Sequence, residues 1–142
     1  MKLLIELLHV GPFSCVIEND PDIWMYRKKG VNNLYEQMKQ NPEFMKGARV
    51  ADKVVGKAAA ALIVKSGIQH VYADVISEPA IKFLEQRNIE IEYGDRVPQI
   101  LNMNNTDICP LEKLCCESDD LTELYASIEA YMQTQKTEVT AN

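Results

Sequence analysis

The sequence predicts an α/β fold: a three-layer α/β/α sandwich around one mixed sheet of about five strands. Three observations carry this. Segments that alternate apolar and polar residues take turns along the chain with segments of helical spacing. The first two strand-like segments are joined only by Asn19-Asp20-Pro21-Asp22, a turn that permits an antiparallel hairpin. The later ones are separated by helix-length crossovers, which makes them parallel.

Taken in order, Met1 to Val10 (MKLLIELLHV) reads as a short helix packed on the domain. It is too short to span a membrane, contains Glu6 and lacks a small-residue cleavage site. Phe13 to Glu18 and Ile23 to Arg27 form the hairpin strands. After Gly30, the spacing of Val31, Leu34, Tyr35 and Met38 predicts a helix that Asn41-Pro42 closes. Arg49 to Val55 is extended and leads into a helix from Gly56 to about Ser66, whose body is Ala58 to Val64. That helix has almost no polar face, so it is expected to be buried all round, with Gly67 as its C′ residue.

His70 to Val75 is the next strand, and Ser77 with Pro79 starts a helix carrying Ala80, Ile81, Phe83 and Leu84. Ile89, Ile91 and Tyr93 alternate with Glu90 and Glu92 as a further strand. Val97, Ile100 and Leu101 suggest a short helical turn before the polar loop Asn102 to Asp107. Cys109 opens one helix, and Ser118 is expected to cap the last, striped by Leu121, Leu124, Tyr125, Ile128, Tyr131 and Met132. Residues 1–134 are read as a single domain and 135–142 as a polar tail expected to fray.

The bulk composition narrows the function classes. At 142 residues and 46% hydrophobic, the chain buries a core without disulfides or metals. Twenty-one acidic against 15 basic residues give a net charge of -6, which opposes a phosphate backbone and disfavours nucleic acid. Cys15, Cys109, Cys115 and Cys116 show no disulfide framework, which fits a reduced cytoplasm. No membrane partner is expected.

Chemistry is expected at two helix starts, because a helix N-terminus presents unpaired N–H groups and a positive dipole end that favours anions and thiolates. At the first, Gly56 allows close backbone approach and Lys57 adds charge, while Asp52 and Lys53 lead in on opposite sides of an extended segment. The full phosphate-loop pattern is absent. At the second, Cys109, Pro110 and Glu112 fall at the N-cap, first and third positions, a capping box with sulfur in place of oxygen, preceded by Asp107. The candidate catalytic residues are therefore Cys109, Asp52 and Lys57, and the candidate ligand-binding residues are Lys53, Gly56, Asp107 and Glu112. Crossovers to a common sheet bring successive helix starts to one edge, so Asp52, Lys57 and Cys109 are expected to share a pocket. Lys28-Lys29-Gly30 reads as a charged turn, and His9 and His70 have no zinc-like spacing to the cysteines, so neither a metal site nor a cofactor is expected.

Ala48 to Leu114, above all Val50-Ala-Asp-Lys-Val-Val-Gly-Lys-Ala-Ala-Ala60 and Asp107-Ile-Cys-Pro-Leu-Glu112, resembles an uncharacterised prokaryotic family, number 1893 among the domains of unknown function. That family looks like a member of the cytidine-deaminase-like superfold, whose zinc enzymes carry H-x-E at one helix start and P-C-x-x-C at the next. The resemblance implies the fold and the cleft. This chain has Asp52, Gly56 and Lys57 where His and Glu would stand, and Cys109-Pro110 in reversed order, so zinc-dependent deamination is not expected. Two readings follow: a cleft that binds a small anionic or nucleotide-like ligand, or a cysteine-dependent enzyme using Cys109 as nucleophile or redox group. Whether the protein is an enzyme, and whether it forms a homo-oligomer, stay open at this stage.

Overall fold

The computed structural model describes residues 1–102 and 106–141, with side chains through residue 135. Five strands form one mixed sheet: β1 (Cys15–Asn19), β2 (Asp22–Tyr26), β3 (Arg49–Val55), β4 (His70–Ser77) and β5 (Glu90–Val97), in the order β2-β1-β3-β4-β5. β1 pairs antiparallel with both β2 and β3, because the hairpin turn and the α-helical return each reverse the chain. β3, β4 and β5 are parallel, as their helical crossovers require. The expected α/β/α sandwich and five-stranded mixed sheet are both found.

One face of the sheet is covered by α1 (Lys2–His9), whose Leu4 and Leu8 pack on Val16 and Ala51. The other face carries α2 (Asn32–Gln40), α4 (Lys57–Ser66), α5 (Glu78–Glu85), α6 (Pro110–Cys115) and α7 (Leu121–Ala141), which share the main core with Cys15, Ile17, Val50, Val71 and Ala73. α4 lies at the centre. Its Lys57 to Ile63 are all buried, and the alanine methyls let α2, α5, α6 and α7 surround it. Gly67 ends it in the left-handed conformation, φ 81°, that a side chain would strain.

Several boundaries differ from the sequence reading. A four-residue helix α3 (Pro42–Met45) follows Asn41-Pro42, since proline is well placed in a first helical turn. The turn expected at residues 97–101 is absent: Val97 ends β5, and Leu101 makes a single antiparallel bridge to Ile108. Residues 103–105 of the polar loop lie outside the described residues. Asp120, not Ser118, caps α7, its carboxylate accepting from the Glu123 N–H at 3.0 Å, while Ser118 Oγ accepts from the Asp120 N–H at 3.1 Å. The tail is helical to Ala141, because its Gln, Lys and Glu residues favour helix about as well as they tolerate solvent.

Candidate functional site

Asp52 sits at the middle of β3 on the face that carries α4. In register it lies directly across from Cys15 on β1, and Cys15 lies across from Tyr26 on β2, so the three form a row over the antiparallel half of the sheet. Asp52 is only 5% exposed. Burial pushes its carboxyl up to about 7, although N–H groups of Val54 and Lys53 and the Cys15 thiol donate to it and favour the charged form. The same burial, with Asp52 beside it, raises the Cys15 thiol well above its ordinary range. Behind them the buried Tyr26 hydroxyl makes no hydrogen bond among the described residues.

Asp52 lines a cavity of about 670 Å³, a size suited to a small organic ligand. Its apolar wall includes Phe13, Val31, Leu101 and Tyr131. Cys109, Gly56 and Glu112 line it from the two helix starts, and Arg27, Lys29 and Lys53 stand at its exposed margin. Among the described residues none of these three cations makes an ion pair. The Arg27 guanidinium lies over the Phe13 ring, 5.3 Å from its centroid.

The two helix starts do not behave alike. At α4, the Glu112 carboxylate accepts from the Lys57 N–H at 2.6 Å and from the Ala58 N–H at 3.0 Å. Gly56 makes this approach possible, because a Cβ there would collide with the Glu112 carboxylate. Burial raises the Glu112 carboxyl above its ordinary value, and the two N–H donors and the Lys57 charge counter that rise. The capping box expected within α6 is therefore not formed. Glu112 reaches across to another helix, and the Cys109 N–H donates instead to Ile100 O at 2.9 Å. Cys109 remains the N-cap, with Pro110 in the first turn as expected, and makes no side-chain cap bond.

Lys57 and Asp107 leave the shared site. The Lys57 side chain is 8% exposed and points into a separate concavity of about 370 Å³ with Pro79, Lys82 and Pro98, where its ammonium pairs with Asp119 at 2.8 Å. Asp107 is exposed, pairs with Lys113 at 2.5 Å and accepts from the Ile108 N–H. Thus Asp52 and Cys109 converge as expected, joined by Lys53, Gly56 and Glu112, and the expected convergence of Lys57 with them is corrected.

The sequence matches the family described as a domain of unknown function, DUF1893, over residues 3–132. The chain belongs to the DUF1893 family. A crystal structure of a DUF1893 family protein from Thermotoga maritima is 28% identical, with a TM-score of 0.84 over 92% of this chain and 88% of that one. A diaminohydroxyphosphoribosylaminopyrimidine deaminase/5-amino-6-(5-phosphoribosylamino)uracil reductase from the same organism is 17% identical, with a TM-score of 0.43 over 80% of this chain and 39% of that one. No curated protein sequence matches the chain.

In this DUF1893 domain no three His, Cys, Asp or Glu side chains converge to hold a metal among the described residues. His9 bonds Asp74 at 2.8 Å and His70 bonds Glu92 at 2.7 Å, each a local surface pair. Among the described residues no helix is long and apolar enough to cross a membrane. Sequence reading missed Arg27 as a lining residue of the cavity and the Cys15–Tyr26 row across from Asp52, and it placed Lys29 in a charged turn. Their signal is positional: Cys15 and Tyr26 are end residues of the hairpin strands and Arg27 and Lys29 follow them, and only the register of β1 on β3 sets Cys15 across from Asp52 and the two cations on the same cavity.

Proposed function

We propose that the protein binds a small, anionic, nucleotide-like ligand in the cavity between the hairpin, β3 and α6. The observation that carries this is the opposition of a buried carboxyl, Asp52, to three exposed cations at the margin, Arg27, Lys29 and Lys53, that make no ion pair among the described residues. A planar ring fits the apolar wall of Phe13, Val31, Leu101 and Tyr131 and presents N–H groups to Asp52. Its phosphate lies against the three cations, where Arg27 offers a planar fork of donors and the lysines add charge. This pairing explains why a chain of net charge -6 keeps three cations on one cavity margin with no ion-pair partner among the described residues.

Calorimetric titration with nucleoside monophosphates, the matching nucleosides and inorganic phosphate tests the reading. A monophosphate is expected to bind more tightly than its nucleoside, and that advantage is expected to vanish in the Arg27→Ala, Lys29→Ala, Lys53→Ala triple variant. Equal binding of nucleoside and monophosphate, or binding of neither by the intact protein, rejects it.

A further inference from the structure

The Glu112 carboxylate occupies the place where a helix N-terminus would otherwise receive a ligand's anion. It takes both the Lys57 and Ala58 N–H groups, it is largely buried between α4 and α6, and Gly56 is held without a side chain to admit it. The same carboxylate lines the cavity that Asp52 lines. The buried part of the lining thus includes two carboxyl groups and a helix start with two N–H groups already engaged, while the exposed margin presents Arg27, Lys29 and Lys53.

We infer that Glu112 is the specificity-determining residue that fixes which way round a ligand lies, acting as a built-in anion that bars phosphate from the α4 N-terminus and leaves the Arg27, Lys29 and Lys53 margin as the phosphate seat. This rests on the ligand class proposed above and adds its orientation. Two effects exclude a second anion from the inner end. The N–H donors that would hold it are engaged, and the fixed Glu112 carboxylate repels it across a partly desolvated space. A ligand whose anionic group is separated from a hydrogen-bond-donating ring fits in one direction. A ligand with anionic groups at both ends is rejected.

The test needs no nucleotide. Inorganic phosphate is titrated into the intact protein and into Glu112→Ala while the amide resonances of Lys57 and Ala58 are followed by NMR. In the wild type these two amides are expected to stay unshifted while phosphate acts only near Arg27, Lys29 and Lys53. In Glu112→Ala they are expected to shift saturably, with a Kd of about 10 mM or tighter against none below about 100 mM in the wild type, a tenfold change or more. Should removal of the side chain loosen α6, Glu112→Gln keeps its bulk and one acceptor while removing the charge, and is expected to give a smaller response at the same amides. Wild-type amides that already respond to phosphate, or amides that stay silent in whichever variant keeps a native spectrum, overturn the inference. Because the readout is phosphate at two named amides, failure of nucleotide binding at the margin leaves this result separately interpretable.

Discussion

The inner and outer ends of the cavity use charge in opposite ways. At the inner end Asp52 and Glu112 are withdrawn from water and held by backbone N–H groups, so that each costs desolvation and is fixed in place. At the margin Arg27, Lys29 and Lys53 are exposed and make no ion pair among the described residues. The difference teaches that the inner charges are coupled to the fold, while the outer ones are available to a partner. Substitutions inside should therefore register first in stability, and substitutions outside in binding.

The sharpest challenge to that contrast is Gly56→Ala. Its methyl meets the Glu112 carboxylate and breaks the tie between α4 and α6, and urea unfolding is expected to show a loss of about 2 to 4 kcal/mol from overpacking and the lost hydrogen bonds. In a Glu112→Ala background the same substitution should cost much less. Additive losses in the double variant would detach Gly56 from Glu112.

Asp52 supplies the next effect. Its folded-state value of about 7 lies above the unfolded carboxylate value of about 3.9, so the folded protein binds the extra proton between these limits, and stability falls as pH rises through that window. The slope is about 1.4 kcal/mol per pH unit at most. Asp52→Asn is expected to remove it, so that denaturation curves at pH 5 and pH 7.5 draw together. A wild-type stability that does not fall between those two values contradicts the buried, protonatable carboxyl.

At the margin, the Arg27→Ala, Lys29→Ala, Lys53→Ala triple variant is expected to lose about tenfold or more in affinity for a nucleoside monophosphate, with unfolding midpoints nearly unchanged. A large drop in stability there would erase the distinction between the two ends. Cys109, which lines the cavity, should be alkylated faster than the buried Cys15 near neutral pH, since burial and Asp52 keep the Cys15 thiol protonated. A bound monophosphate should slow the Cys109 reaction, as read by mass spectrometry. The smallest effect belongs to Asp107→Ala, which removes a surface pair with Lys113 and should change stability by less than about 0.5 kcal/mol and binding not at all.

The order of strands and helices was legible because it is written in local period: the alternation at residues 89–93, the alanine-rich run after Gly56, and the turn at Asn19 to Asp22 each specify their own backbone. Proline and capping chemistry are less decisive near Ser118, where Asp120 competes for the same helix start two residues on. The spacing of Val97, Ile100 and Leu101 suggests a helical turn, while the bridge from Leu101 to Ile108 stays hidden because an isolated bridge has no periodic signature.

By itself, the sequence determined that the chain is an α/β/α domain, that its central helix is buried, and that Asp52, Lys53, Gly56, Cys109 and Glu112 lie beside helix starts. Only the tertiary structure decided what those starts do. A helix end specifies that it wants an anion, yet not which one, because N–H groups bond whatever carboxylate or phosphate the surrounding fold brings within about 3 Å. Here docking of α6 against α4 brings Glu112 to backbone N–H groups as much as 55 residues away along the chain, while Lys57, one residue inside the helix, is turned to Asp119. The hairpin register then sets Cys15 across from Asp52 and brings Arg27 and Lys29 to the margin of the same cavity, a long-range arrangement that no local pattern encodes.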